Sequence, residues 1–365
     1  MKVLLVHPEM HVYGGGTRVA VHFLNVLKGM GGKVDLLCEL FDTVSFEDFF
    51  GCPGIFRGVR IFAYSRSDYG YHGPSGFRQF AVYKRMVQQS LRRRTRYFND
   101  YDLILSTQKI YYTWKTRIPT IQYCYLPEPF SYGGSFLRRF YYTIPSKIFQ
   151  RRASKLAGIL AVSEYTRGLV TRRWGLDSTV LYPPCPIFSK RQNDRREPWV
   201  VTVGRVVPEK RLEVFMDVAR SMPDFQFFLV GSISEDDTDY YRKILESKPE
   251  NAVIILKPLR KVTNLLEKAS FYLHCAIGEQ FGISIVEAMS AGCIPIVHAS
   301  GGQTETVGDS RFLWKSIEQI PIMLRAFWNE DRGTLSERMR MRSKQFSPEV
   351  FESNLRTYLE KFKSP

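Results

Sequence analysis

The chain has 365 residues, of which 44% are hydrophobic and 14% aromatic, and its formal net charge is +16. This length accommodates two ordinary domains with a core each, and this composition excludes a disordered chain. Six cysteines with no CxxC pair and no metal-ligand spacing argue against a disulfide or zinc framework and for a reducing, cytoplasmic setting.

The opening run Lys2–His7 is apolar and short, which predicts a first β-strand and not a signal peptide. A loop leads to Gly14-Gly15-Gly16, and Thr17–Lys28 follows with Val19, Phe23, Val26 and Leu27 at helical spacing. Gly29, Gly31 and Gly32 end that helix, and Val34–Cys38 is the next predicted strand. Further strands are expected at Asp102–Ser106, Thr120–Tyr125 and Ala157–Ser163. The proline cluster Tyr182-Pro-Pro-Cys-Pro186 and the polar run Ser189–Pro198 then mark a domain boundary.

Beyond the boundary the alternation resumes. Strands are expected at Trp199–Val203, Phe225–Val230, Val253–Leu256, Phe271–His274 and Ile294–His298, with helices at Leu212–Arg220, Val262–Ala269 and Ile283–Ala291. Pro348–Lys361 reads as an amphipathic helix. The pattern predicts an α/β protein of two Rossmann-like, doubly wound domains facing a central cleft, since ligands bind beyond the carboxyl ends of such strands. No window approaches the roughly 20 apolar residues that span a bilayer.

Two constellations carry chemistry. In Glu279-Gln-Phe-Gly-Ile-Ser-Ile-Val-Glu287, Gly282 sits where the backbone turns, and the amides from Ile283 onward form a helix N-terminus suited to a diphosphate. Glu287, one turn in, can accept hydrogen bonds from a ribose diol, and Glu279 can hold hydroxyls of a sugar. Both glutamates equally suit a solvated helix end. In Val203-Gly-Arg-Val-Val-Pro-Glu-Lys210, Arg205 and Lys210 flank a loop at a strand's carboxyl end, where cations neutralise charge on a departing diphosphate. Asp237-Thr-Asp239 has the Asp-x-Asp look of metal-dependent sugar transferases but reads as an acidic surface loop.

The order Gly-Arg-x4-Lys, Glu-x-Phe-Gly-x4-Glu-Ala-x2-Ala-Gly-x-Pro-x-Val, then Ser300-Gly301-Gly302 with Glu305 resembles the family 4 nucleotide-sugar glycosyltransferases of GT-B fold. Within them, Glu279–Glu287, Gly292–Gly302 and Tyr123-Cys-Tyr-Leu-Pro127 look most like mannosyltransferases of lipid-linked oligosaccharide assembly. The resemblance implies domains at 1–185 and 186–346, with a C-terminal helix, 347–365, crossing back to the first.

The resemblance also implies a retaining transfer, with mannose from GDP-mannose preferred, onto a lipid-linked or other glycan acceptor, needing no metal and no cofactor. Arg205 and Lys210 would hold the diphosphate, with Glu279 as the third catalytic residue. Glu279, Phe281, Gly282 and Ile283 would contact donor sugar and phosphate, Glu287 the ribose, and Leu259 the base, with Gly15 and Gly16 closing from the other domain. Where related enzymes carry a histidine this chain has Tyr125, whose reference pKa of about 10 rules out a general base at neutral pH. His7 and His11 are other candidates for a catalytic histidine in that half.

Residues 1–180 carry 26 Lys and Arg against 12 Asp and Glu, whereas the remainder is almost balanced. Cations beside aromatic and apolar groups, among them Arg92, Arg93, Arg94, Arg138, Arg139, Arg151 and Arg152, suit the anionic cytoplasmic face of a membrane. The expected protein is therefore cytoplasmic and peripheral, with no nucleic-acid partner. The alternatives left open are a nucleotide-sugar epimerase on the same fold and a non-catalytic basic nucleic-acid-binding protein.

Overall fold

The computed structural model describes residues 1–64, 100–127, 147–188, 196–233, 237–256 and 262–362. The chain divides into two compact units, Met1–Pro184 with Pro348–Pro365, and Cys185–Ser347.

In the first unit the order is β1 (Lys2–Val6), α1 (Gly15–Gly29), β2 (Lys33–Glu39), α2 (Thr43–Phe50), β3 (Arg60–Tyr64), β4 (Leu103–Ser106), β5 (Thr120–Cys124), β6 (Gly158–Ala161), α3 (Glu164–Trp174) and β7 (Thr179–Val180). The described strands form one parallel sheet, β3-β2-β1-β4-β5-β6-β7. Leu5, Leu36, Leu105 and Ile121 share a core with Phe23, Leu24 and Leu27 of α1. Leu4, Val6, Leu37 and Ile104 pack with Phe149, Val170 and Trp174 on the other face. Burial on both faces is why these strands read as unbroken apolar runs.

Local signals set the helix ends. Asp42 caps α2 by accepting from the amides of Val44 and Ser45, and Gly51 ends it in the left-handed region. Ser163 accepts from the Thr166 amide to start α3, and Gly175 stops it at φ +67°. The apolar spacing locates α1 and the strands to within about two residues, as such patterns allow, but it passes over α2, β3, α3 and β7.

His7 follows β1 and is fully buried, its Nδ1 2.7 Å from Thr107 Oγ1. Burial, helped by His11, pushes its pKa from 6.5 down to about 3. Between those values the unfolded chain binds a proton that the folded chain refuses, so stability falls as pH drops through 6.5 toward 3. Urea unfolding at pH 7 and pH 5 is expected to show the wild type losing about 2 kcal/mol more than His7→Gln over that interval. Equal losses in the two proteins would refute this.

In the second unit the order is β8 (Glu197–Arg205), α4 (Leu212–Ser221), β9 (Gln226–Ser232), α5 (Thr238–Glu246), β10 (Ala252–Leu256), α6 (Val262–Lys268), β11 (Ala269–His274), α7 (Ile283–Ala291), β12 (Ile294–His298), α8 (Gln303–Val307), β13 (Leu313–Trp314), α9 (Gln319–Trp328) and α10 (Arg332–Ser343). Its strands form a second parallel sheet, β10-β9-β8-β11-β12-β13. Asp239 lies in the first turn of α5 and pairs with Arg242 at 3.1 Å, so this part of the supposed acidic loop is the start of a helix.

The final helix, α11 (Pro348–Glu360), belongs to the first unit. Phe351, Leu355 and Leu359 are buried, and the Phe351 ring stands edge-on to Phe23 at 5.4 Å. His22 of α1 meets Glu352 at 2.8 Å. The Tyr358 hydroxyl fills the space beside Gly158, where a Cβ would lie 2.1 Å from it. Each unit is thus a doubly wound Rossmann-like layer structure, the first completed by residues from beyond the second.

Candidate active site

In the second sheet β8 and β11 are neighbours, yet the chain leaves β8 toward β9 and leaves β11 toward β12. The connections therefore part at this point, where doubly wound sheets open a crevice at their carboxyl ends. The two loops flanking it carry the residues singled out from the sequence.

The first loop leaves β8 at Arg205, which is exposed. Val206 and Val207 are buried and anchor it, and Pro208–Lys210 forms a 3₁₀ turn in which the Lys210 amide donates to the Val207 carbonyl at 3.0 Å. Arg211 then holds φ +50°, the one non-glycine residue in the left-handed region among the described residues. An arginine kept there marks a backbone set by its surroundings and not by its own preference. The Leu212 amide donates to Tyr240 Oη at 2.8 Å, fixing the start of α4.

The second loop runs from the end of β11 to α7. Gly278 donates its amide to Ser300 Oγ at 2.9 Å, and the Glu279 carbonyl accepts from Gly302 at 2.7 Å. Ser300 Oγ also lies 2.7 Å from His298 Nδ1. Gln303 Nε2 donates to the carbonyls of Ala276 and His298 at 3.0 Å. The Ser300-Gly-Gly302 segment is therefore a clamp on the Glu279 loop. Ser300→Ala leaves the Gly278 amide without its acceptor, which is expected to cost about 1–2 kcal/mol. Unchanged thermal stability would disprove the clamp.

The clamp presents Glu279 to the first loop. Lys210 Nζ lies 2.5 Å from Glu279 Oε2, and His274 Nε2, at the end of β11, lies 3.3 Å from the same oxygen. The side chains of Glu279 and Lys210 are 17% and 25% exposed, so the pair is partly screened from water. Burial pushes the Glu279 carboxyl up, but Lys210 and His274 outweigh it and hold the group well below the usual carboxylate range. Glu279 is thereby favoured as an anion and a hydrogen-bond acceptor. The solvated-helix-end reading of this glutamate is excluded by its ion pair.

Gly282 has φ +94° and caps α7, and a Cβ there would meet Ile285 Cδ1 at 2.5 Å. The turn opens the helix at Ile283, whose amide and that of Ser284 have no preceding turn to donate to. Glu287 stands half-buried one turn further on. The Tyr272 hydroxyl lies 2.8 Å from Ser284 Oγ and 3.2 Å from the Val203 carbonyl, so it ties α7 to β8. Burial, with Glu287 and Glu279 nearby, raises its pKa. The Phe281 ring is buried, edge-on to Phe346 at 5.1 Å, so any contact the residue makes with a ligand falls to its main chain. Its carbonyl is taken by Thr306 Oγ1 at 2.7 Å.

Arg205, Lys210, Glu279, Gly282, Ile283 and Glu287 are thus gathered on one edge of one sheet. Sequence reading missed His274, Tyr272 and Gln303. Among the described residues no group of three or more His, Cys, Asp and Glu side chains is placed to hold a metal ion. Leu259 lies outside the described residues, as do Arg92, Arg93, Arg94, Arg138 and Arg139.

Gly15 and Gly16 open α1 in the first unit, after β1. The Tyr125 hydroxyl donates to the Gly16 carbonyl at 3.3 Å, and burial raises its pKa further from the neutral range. In the helical turn 147–153, Arg151 is exposed whereas Arg152 is not free to face a membrane. Its Nη1 donates to the Thr113 carbonyl at 2.6 Å in a half-buried setting that lowers its pKa. Arg152 is therefore a structural tie, and only Arg151 keeps the exposure expected of both.

Comparison with known proteins follows the same division. A model described as glycosyltransferase family 4 matches residues 13–187, and one described as glycosyl transferases group 1 matches residues 186–318. The GDP-Man:Man(3)GlcNAc(2)-PP-Dol alpha-1,2-mannosyltransferase of Yarrowia lipolytica is 24% identical over 52% of this chain and 37% of its own length. The enzyme of that name from Dictyostelium discoideum is 23% identical, over 60% of this chain and 50% of its own. The chain thus spans half or less of these curated relatives. Among solved structures, sucrose-phosphate synthase of Thermosynechococcus elongatus superposes with a TM-score of 0.77 at 14% identity, covering 99% of this chain and 98% of that one. Anabaena HepE in complex with UDP and glucose gives 0.72 at 14% identity, covering 99% and 100%. At such identities the likeness speaks for the fold alone.

Proposed function

The chain belongs to glycosyltransferase family 4, with the two Rossmann-like units of the GT-B fold, and from that premise we propose that it moves mannose from GDP-mannose to a lipid-linked glycan. The observation that carries the reading is the Lys210–Glu279–His274 group beside the open end of α7, at the point where the second sheet's connections part.

In this reading Arg205 and Lys210 meet the donor diphosphate together with the amides at Ile283, and Glu287 takes the ribose diol. Glu279, fixed as an anion, accepts hydrogen bonds from the transferred sugar. The bond from the anomeric carbon to the β-phosphate oxygen breaks as the acceptor hydroxyl oxygen attacks the same face. The hydroxyl proton passes to the departing phosphate, so configuration is retained without an enzyme nucleophile. The reaction calls on no metal and no bound cofactor. Cations at Arg205 and Lys210 lower the barrier by stabilising charge on the leaving group. Nucleic acid has no part in it.

The acceptor side rests on charge and on the mannosyltransferases that the chain resembles. Lys147, Ile148 and Arg151 are exposed together, a mixture suited to an anionic membrane surface. No described helix is long and apolar enough to cross a bilayer. We assign the protein to the cytoplasmic face of a membrane as a peripheral enzyme. The test is a panel of radiolabelled nucleotide sugars incubated with the protein and lipid-extracted membranes. Label from GDP-mannose should enter the lipid fraction; label from another nucleotide sugar alone, or from none, would overturn the donor assignment.

A further inference from the structure

Glu279 Oε2 has two partners, and they are built very differently. Lys210 reaches it from a partly exposed turn on a flexible four-carbon stem, at 2.5 Å. His274 reaches it from the end of a central strand, buried, at 3.3 Å. The imidazole lies nearly parallel to the Tyr272 ring, 16° apart with centroids at 6.2 Å. The Tyr272 hydroxyl is tied in turn to Ser284 at the start of α7 and to the Val203 carbonyl. His274 is thus set by a buried strand and lies beside Tyr272, which is itself tied to α7 and β8, whereas Lys210 is held chiefly by the carboxylate itself.

A donor diphosphate offers Lys210 more negative charge than one carboxylate does. If Lys210 turns to the diphosphate, Glu279 loses its nearest partner at the moment when its orientation matters. We propose that His274 is the positioning residue that keeps Glu279 aimed at the donor sugar while Lys210 serves the diphosphate. A neutral imidazole donating Nε2–H suits this role, because it fixes the carboxylate without neutralising it. Burial and the Lys210 charge both disfavour the imidazolium, in keeping with that protonation state. Glu279 Oε1 then remains for the sugar; among the described residues its hydrogen bond is from the Gln280 amide at 3.3 Å.

This rests on the donor reading above, and the test separates the two. His274→Ala, His274→Leu and His274→Gln are compared with wild type in kcat and KM for GDP-mannose, counting both transfer and hydrolysis to free mannose, and in GDP affinity by calorimetry. Alanine and leucine, which lack the donor, should lower kcat about tenfold or more, since small misplacements of a reacting group are costly. KM and GDP affinity should stay within about threefold of wild type, and glutamine should recover most of kcat. Unchanged GDP affinity also certifies the fold of each variant.

A variant that loses GDP binding together with kcat would make His274 a packing residue and overturn the proposal. So would wild-type kcat in His274→Leu, or glutamine no better than leucine. A wild type that neither binds nor turns over GDP-mannose overturns the donor reading, and this proposal with it.

Discussion

Lys210→Ala is expected to lower kcat/KM for transfer by about a thousandfold, and Glu279→Ala by at least about a hundredfold, the range seen when one preorganised electrostatic group is removed from an active site. The fold should survive both changes. Lys210 is a quarter exposed, so without Glu279 it can turn to water and does not remain a buried, unpaired charge. Without Lys210, Glu279 still has His274 on Oε2 and the Gln280 amide on Oε1. The double variant should be little worse than Lys210→Ala alone, because the two groups act as one unit and their effects do not add. Steady-state kinetics with circular dichroism decides it. Either single variant keeping more than a tenth of wild-type transfer, with its fold intact, would remove that residue from the catalytic group.

The second large effect is expected at Gly301. Its φ is +73°, and a Cβ there would lie 2.4 Å from the Glu279 carbonyl oxygen, 2.7 Å from the Gly278 carbonyl carbon and 2.8 Å from the Glu279 amide nitrogen. All three are main-chain atoms, so no rotamer change can relieve the clash. Alanine also strains in the left-handed region by about 1 kcal/mol. Gly301→Ala must push the Glu279 loop off its clamp. It should cost about 3 kcal/mol of stability and about a hundredfold in turnover, because Glu279 is displaced. Gly14 is the contrasting case: its φ is −166° and nothing among the described residues lies within 4 Å of a Cβ. Gly14→Ala should leave the melting temperature unchanged. Equal thermal shifts in the two variants would show that the Gly301 contact is absorbed elsewhere.

The donor half of the site was legible because its signals are local. A turn glycine, a helix N-terminus and a carboxylate one turn in all fall within Glu279–Glu287, and the bounds of α7 match the apolar spacing to the residue. Lys210 and Glu279 are 69 residues apart, so only the strand order could reveal their ion pair. His274 was hidden for a different reason: it lies only five residues before Glu279 and reads as the polar end of a strand, and its contact is made by the way the loop after β11 folds back.

Among the elements passed over, α10 carries four arginines in twelve residues, and its buried face is built from Leu335, Ser336, Met339, Arg340 and Ser343. A hydrophobic pattern does not register serine and arginine as core, although Ser336 Oγ donates to the Gly292 carbonyl at 2.6 Å and Arg340 to that of Ala291 at 3.0 Å. β7 and β13 have two residues each, too few for any alternation to show. In the basic half, composition located charge but not direction. Arg151 and Arg152 are adjacent in sequence, yet one points to solvent and the other into the Thr113 carbonyl.

The placement of α11 bears on how the molecule is made. Its apolar face covers Phe23 and its neighbours in the first unit, yet it is encoded after all of the second. As the chain leaves the ribosome, the second unit, continuous from Cys185 to Ser347, can complete its own core as soon as it emerges. The first unit, although translated earlier, must wait with that apolar groove open until Phe351, Leu355 and Leu359 arrive. The order of synthesis and the order of completion are therefore reversed. A nascent chain stalled before residue 348 should expose a sticky surface that chaperones recognise, on the half that emerged first.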